Sequence, residues 1–113
     1  MALDDNEPRY GVTDGETFWS SAADLGIDAE ELDRETESLR YRLERAPYFR
    51  TYRVPPHQSR VTFEVGPGGI TYRVFFWFEG EGTPGQRVVL AWIDEAHPEE
   101  EEDRRMRDPD FRF

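Results

Sequence analysis

The chain of 113 residues has the length of a single domain, and it contains no cysteine, so disulfides, thiolate zinc sites and thiol redox chemistry are excluded. Its 25 acidic residues outnumber 14 basic residues, all of them Arg, and the formal net charge is −11. Because phosphate repels a protein of this charge, nucleic acid is not an expected partner.

Residues 1–12 are predicted to form a loose N-terminal tail before a single domain over 13–98. The tail has neither the basic region nor the apolar run of a secretory signal. No apolar stretch approaches the roughly 18 residues that cross a bilayer. We therefore expect a cytoplasmic protein that does not contact a membrane.

A first helix is predicted to begin at Thr13 or Asp14, either of which can cap it, and to end at Gly26. Its apolar residues have helical spacing: Phe18, Ala22 and Leu25.

A second helix is predicted over 28–46, where Asp28 and Glu31 have the spacing of a capping box. Acids fill its first turn and arginines its last turns, as the helix dipole favours. A single narrow apolar stripe predicts that one side of this helix is buried: Leu32, Leu39, Leu43 and Ala46.

Strands are predicted at Arg60–Val65, Ile70–Glu79 and Arg87–Asp94, separated by the glycine-rich turns 66–69 and 80–86. The segment Tyr48–Val54 alternates loosely, and its assignment as a fourth strand stays open. The expected fold class is α+β, with two N-terminal helices packed on a three- to four-stranded antiparallel meander.

Neither face of this sheet has the alternating polar positions of a wet surface. The central strand places Ile70, Tyr72, Val74, Phe76 and Phe78 on one face and Thr71, Arg73, Phe75 and Trp77 on the other. In the next strand, Val88, Leu90 and Trp92 are expected to oppose Val89, Ala91 and Ile93. The helices can cover one face, so the N-terminal segment, the C-terminal tail or another chain is expected to cover the second.

The C-terminal segment 99–113 is charged, with acids at 99–103 followed by arginines, and it suits a short exposed helix. Phe111 and Phe113 are candidates for an anchor that folds back on the sheet. The acidity itself has two interpretations: adaptation to a salt-rich cytoplasm, as in halophiles, or a functional charge. Codon bias in a GC-rich genome explains Arg in place of Lys but does not explain the acids.

No catalytic or cofactor motif stands out, and no cofactor is expected. The histidines, His57 and His97, are 40 residues apart. His97 lies near Glu95 and Glu99, but a surface histidine is the simpler interpretation, and no metal site is predicted.

One resemblance covers residues 28–98. After two helices and a strand, the chain reads Gly-Ile-Thr-Tyr-Arg-Val-Phe-Phe-Trp-Phe over 69–78 and Arg-Val-Val-Leu-Ala-Trp-Ile over 87–93, and His97 follows. This pattern resembles the RelE/ParE toxin superfamily. The resemblance implies a ribosome-dependent mRNA interferase with Arg73, Arg87 and His97 as candidate catalytic residues. Pro98 and acids follow His97 where the family has basic residues and Tyr, so an inactive relative is also implied.

The sequence therefore indicates two alternative functions. The first is a non-catalytic interaction or dimerisation module, in which Phe75, Trp77 and Trp92 form an aromatic face that binds a protein partner or a second copy. The second is the divergent RelE/ParE-type endoribonuclease.

Overall fold

The computed structural model describes residues 9–54, 59–97 and 99–107. Its helices and strands, in chain order, are β1 Gly11–Asp14, α1 Glu16–Asp24, α2 Ala29–Arg45, β2 Tyr52–Val54, β3 Ser59–Val65, β4 Thr71–Glu79, β5 Arg87–Glu95 and α3 Glu100–Arg107. The predictions for His57, Phe111 and Phe113 lie outside the described residues.

The α+β class is confirmed, but the sheet is larger than predicted. Its five strands have the order β1-β5-β4-β3-β2. The meander β3-β4-β5 is antiparallel, and β2 extends it as a fourth antiparallel strand. At the other edge, β1 pairs in parallel with β5, so the sheet is mixed and the prediction of a purely antiparallel meander was wrong. A strand precedes the two helices, and a third helix follows the sheet.

The start of α1 also differs from the prediction. Thr13 and Asp14 belong to β1, where they pair with Val89 and Leu90, and the N-cap of α1 is Gly15 with no side-chain cap. Pairing with β5 therefore took precedence over the capping preference of Thr13 and Asp14. A side chain is poorly tolerated at the cap, because a Cβ on Gly15 would lie 3.0 Å from the Leu90 carbonyl oxygen.

The second helix follows its sequence signals closely. The Asp28 side chain accepts a hydrogen bond from the Glu31 backbone N–H at 2.8 Å, as the predicted cap requires. Between the helices the chain turns at Gly26, whose φ of 80° lies in the left-handed region that glycine adopts without strain.

α1 and α2 cover one face of the sheet, which we call the helix face. The core between them consists of Phe18, Ala22, Leu32, Leu39, Leu43, Val74, Phe76, Val88, Leu90 and Ile93. The predicted stripe of α2 is buried at its three leucines. Each fully buried large apolar side chain contributes roughly 1.5–3 kcal/mol, so this layer supplies most of the stabilisation.

The outer edge of β5 is covered by two consecutive elements. β1 pairs with it as far as Leu90, and the chain then turns so that α1 continues along the same edge. Gly15 donates its backbone N–H to the Leu90 carbonyl at 2.8 Å, and Thr17 donates its hydroxyl to the Ala91 carbonyl at 2.7 Å. Two residues further on, Ile93 donates its N–H to the Ser21 hydroxyl at 3.0 Å. Side chains of α1 thus satisfy backbone groups that a further strand would otherwise pair.

Among the residues that the structure describes, no helix is both long and apolar enough to cross a membrane.

Candidate interaction face

The second face of the sheet, opposite the helix face, carries the aromatic residues singled out from the sequence. Strand register places Phe75 directly opposite Trp92, and Trp77 directly opposite Val89. Trp77 is 37% exposed and Trp92 41% exposed, whereas Phe75 is partly buried. We call Phe75, Trp77, Val89 and Trp92 the aromatic face. The register therefore brings the three predicted aromatic residues together.

A β-bulge determines that Trp92 belongs to this face. Phe75 pairs with Trp92 but Phe76 pairs with Leu90, so Ala91 is an extra residue in β5. Strict alternation would have put Trp92 on the same face as Leu90, as the sequence analysis expected. The bulge reverses the alternation beyond Ala91, so Ile93 enters the core and Trp92 lies on the opposite face.

Both exposed indoles are oriented by a carboxylate on their own strand. Trp77 donates its Nε1–H to Glu79 Oε2, and Trp92 donates its Nε1–H to Asp94 Oδ2, each at 3.3 Å. Residues two apart on a strand share a face, so each acid lies beside its indole. The arrangement satisfies the polar end of each ring and leaves apolar ring surface in contact with solvent.

The arginines of this face are paired with the same two carboxylates. Arg87 donates to Glu79 Oε1 from Nε at 2.9 Å and from Nη2 at 2.6 Å. Arg73 donates to both oxygens of Asp94, at 2.7 Å from Nε and 2.8 Å from Nη2. The hydrogen bonds from Arg87 and then Trp77 lower the pKa of Glu79, and the hydrogen bond to Asp94 is the main cause of the raised pKa of Arg73. Glu79 and Arg73 therefore stay charged at neutral pH.

The short helix α3 lies at the Arg73 end of the second face. Glu100 Oε2 accepts a hydrogen bond from Arg73 Nη1 at 3.0 Å, and Glu101 Oε1 accepts one from the Tyr52 hydroxyl at 3.1 Å. The acids occupy the first turn and the arginines the last turn, and no residue of α3 is buried. The prediction of a short exposed helix is confirmed for Glu100–Arg107, which covers one end of the second face.

The candidate catalytic residues Arg73, Arg87 and His97 do not form one site. Arg73 and His97 lie at the same end, where the carboxylate of Glu100 bonds the Arg73 side chain and accepts from the His97 N–H at 3.2 Å. Arg87 is paired with Glu79, six residues from Arg73 along β4, which places it about 20 Å away.

His97, together with Glu95 and Glu99, was also considered from the sequence as a metal ligand. The ring of His97 accepts at Nδ1 from the Glu99 backbone N–H at 3.4 Å. Within residues 9–54, 59–97 and 99–107, no group of three or more His, Cys, Asp or Glu side chains could hold a metal ion.

A small crevice separates α2 from the ends of β3 and β4, with a free volume of about 30 Å³. Glu31, Glu35 and Glu64 lie at its mouth above an apolar floor that includes Leu32 and Val74. This space is enough for one or a few ordered water molecules.

Comparison of the chain with protein-family models, with curated proteins and with solved structures finds no match in any of the three.

The three aromatic residues were predictable from the sequence, whereas the acids that orient them were not among the predicted site residues. The spacing of Trp77 to Glu79 and of Trp92 to Asp94 is the same, two residues along a strand, and this repeated pattern was available in the sequence. Predicting the pair Arg73–Asp94 requires the register between β4 and β5. The alternation of apolar residues does not reveal this register, because a bulge shifts it.

Proposed function

We propose that this protein is a non-catalytic interaction module that binds a basic segment of another protein on the aromatic face. The observation that carries the proposal is the exposure of Trp77 and Trp92 on adjacent strands of one sheet face, each with its indole N–H held by a carboxylate. Trp is strongly enriched among the residues that dominate binding energy at protein interfaces.

The size of the exposed patch favours a partner segment over a second copy of the chain. Side chains of this kind bury 150–250 Å² when covered, so exposures of 37% and 41% leave roughly 100 Å² on each Trp. A standard stable interface buries about 800 Å² on each partner. The exposed indoles thus supply a small anchor, which is too little apolar surface for a stable homodimer.

The charge of the protein favours a basic partner. Two copies at −11 each repel one another, whereas a basic segment is attracted. Locally, Arg73 and Arg87 are already paired with Asp94 and Glu79. A partner's Arg or Lys can therefore lie over an indole face, which is the best side-chain surface for a cation, without meeting an unpaired cation from either arginine.

The endoribonuclease alternative has no comparable support. Its candidate residues Arg73 and Arg87 are about 20 Å apart, and each is bonded to a carboxylate that would repel an RNA phosphate. The geometry therefore favours the interaction module.

Site-specific photocrosslinking in the cells that make the protein tests the proposal. Benzoylphenylalanine replaces Trp77 in one variant and Tyr41 in a control, since Tyr41 is 54% exposed on α2. We expect a crosslinked basic protein from position 77 that is absent from position 41 and is lost when Trp92→Ala is added. The same adducts from both positions, or an adduct at position 77 that survives Trp92→Ala, would contradict the proposal.

Sedimentation equilibrium separates the second copy from a different partner. We expect a monomer in both 0.1 M and 2 M NaCl, where high salt screens the repulsion between copies. If wild type forms a dimer and Trp77→Ala/Trp92→Ala does not, the molecule that binds the aromatic face is a second copy of the chain, and the proposal of a basic partner is wrong.

A further inference from the structure

Several polar contacts attach α3 to the sheet. Glu100 bonds Arg73, Glu101 bonds the Tyr52 hydroxyl and lies 3.7 Å from Arg50 Nη2, and Arg104 Nη1 donates to the Arg53 carbonyl at 3.5 Å. The apolar residue of the helix, Met106, is 79% exposed.

Such contacts hold a helix weakly. Partly exposed ion pairs contribute little each, because solvent screens them and ordering two long side chains opposes them. An eight-residue helix is also below the roughly 12–15 residues at which an isolated helix becomes marginally stable. No residue of α3 is itself buried, so the helix has no apolar anchor of its own. We therefore expect α3 to open more easily than α2, which buries three leucines.

An apolar cluster lies at the end of the second face where α3 is attached. It consists of Tyr52, Val61, Phe63 and Ala96, and Phe75 packs against it. Register places Val61 opposite Phe75 and Phe63 opposite Arg73, so the cluster is continuous with the aromatic face. Tyr52 is only 1% exposed while its hydroxyl is bonded to Glu101.

A chain of hydrogen bonds joins this end to the aromatic face. Trp92 Nε1–H and Arg73 Nη2–H both donate to Asp94 Oδ2, and Arg73 donates from Nη1 to Glu100. Asp94 and Arg73 therefore connect Trp92 to the first turn of α3. When α3 leaves, Arg73 keeps both hydrogen bonds to Asp94, so its charge stays compensated.

We propose that α3 is a displaceable cover of the second face, and that its detachment extends the aromatic face over Tyr52 and Phe63. A basic partner promotes the opening because its cations compete with Arg73 and Arg50 for Glu100 and Glu101. That competition rests on the proposed function, whereas the opening of α3 itself is a property of the isolated protein.

Hydrogen–deuterium exchange of the full chain tests the opening. We expect amides of 100–107 to exchange at least about 100-fold faster than those in the middle of α2, as a locally opening segment does. Glu100→Gln/Glu101→Gln removes the ion pairs of Glu100 with Arg73 and of Glu101 with Arg50, and it should accelerate exchange in α3 by about tenfold. The matched control Glu102→Gln/Asp103→Asn changes the charge equally at exposed residues of the same helix, and it should leave the rate within about twofold.

Binding of the neutral dye Nile red then reports the uncovered surface. Its fluorescence should rise in Glu100→Gln/Glu101→Gln and stay at the wild-type level in the control. Protection of α3 equal to that of α2, or equal effects of the two double variants, would overturn the cover. Hydrogen exchange and Nile red fluorescence are both measured without a partner. A negative result in these two measurements therefore does not affect the crosslinking test of the proposed function, and a negative crosslinking result does not affect the test of α3 opening.

Discussion

Asp14 in β1 and Arg40 in α2 form a bidentate ion pair, with Nη1–Oδ1 at 2.6 Å and Nη2–Oδ2 at 3.2 Å. The Arg40 side chain is 21% exposed and that of Asp14 15% exposed, and Arg40 also donates from Nε to the Thr36 hydroxyl at 3.0 Å. The pair fastens the edge strand to the helix layer at the point where the chain leaves β1 for α1.

We expect Asp14→Asn to lower the free energy of unfolding by about 1–3 kcal/mol, because a neutral amide replaces the bidentate carboxylate contact of Arg40 in a half-buried site. Asp33→Asn is the matched control, since Asp33 lies 3.9 Å from the same arginine but is 68% exposed. Its cost should be within about 0.5 kcal/mol. Urea unfolding followed by circular dichroism measures both, and equal losses would refute the role of the Asp14 contact.

Ser21 and Ser20 provide a second matched pair. The Ser21 hydroxyl is buried, donates to the Phe18 carbonyl at 2.9 Å and accepts from the Ile93 N–H. Ser21→Ala leaves that N–H unsatisfied beside the bulge, so we expect a loss of about 1–3 kcal/mol. The exposed Ser20 hydroxyl only bonds its own helix at 3.2 Å, so Ser20→Ala should be nearly neutral. Thermal unfolding of the two variants tests the difference, and a neutral Ser21→Ala would contradict it.

The neighbours Phe75 and Phe76 lie on opposite faces of β4. Phe76 is 0% exposed in the core, and we expect Phe76→Ala to cost about 3–5 kcal/mol. Phe75 is only partly buried, so Phe75→Ala should cost less than half as much, about 1–2 kcal/mol. Chemical denaturation measures both, and a larger loss for Phe75 would reverse the assignment of the faces.

Alkaline pH should destabilise the protein partly through Tyr52. Burial, followed by the Glu101 carboxylate, raises the pKa of this tyrosine to about 12 from 10.0. The unfolded chain therefore releases the proton at lower pH than the folded chain, and stability is lost as pH rises above about 10. The stability advantage of wild type over Tyr52→Phe should shrink by about 1 kcal/mol between pH 9 and pH 11. A constant difference across that range would show that Tyr52 does not titrate in this way.

The helical half of the fold was largely readable from the sequence because its signals are local. The cap at Asp28, the acid-to-base gradient and the leucine stripe all act within one helix, and each appears in α2 as expected. The strand β1 was missed because its four residues Gly-Val-Thr-Asp contain a single large apolar side chain. What makes it a strand is the partner β5, about 75 residues further along the chain.

The aromatic face was also only partly predictable from the sequence. Aromatic residues at alternate positions in β4 identified Phe75 and Trp77, whereas the placement of Trp92 depended on the bulge at Ala91. That bulge is stabilised by Thr17 and Ser21 of α1, which are distant in sequence. Alternation within one strand contains no information about such a tertiary contact, so the two faces of β5 were assigned wrongly beyond Leu90.

The path of α1 along β5 also limits how another chain can attach. An open strand edge is a template for adding a strand from a second molecule, which is a common route to aggregation. Among the described residues, the three long strands lie inside the sheet, and the edge strands β1 and β2 have four and three residues. Because β1 and α1 occupy the exposed side of β5, this edge of the aromatic-rich sheet offers little backbone for edge-to-edge polymerisation. For the proposed basic partner, recognition would therefore rest on side chains of the sheet surface, where single substitutions can change specificity without disturbing the strand ladder.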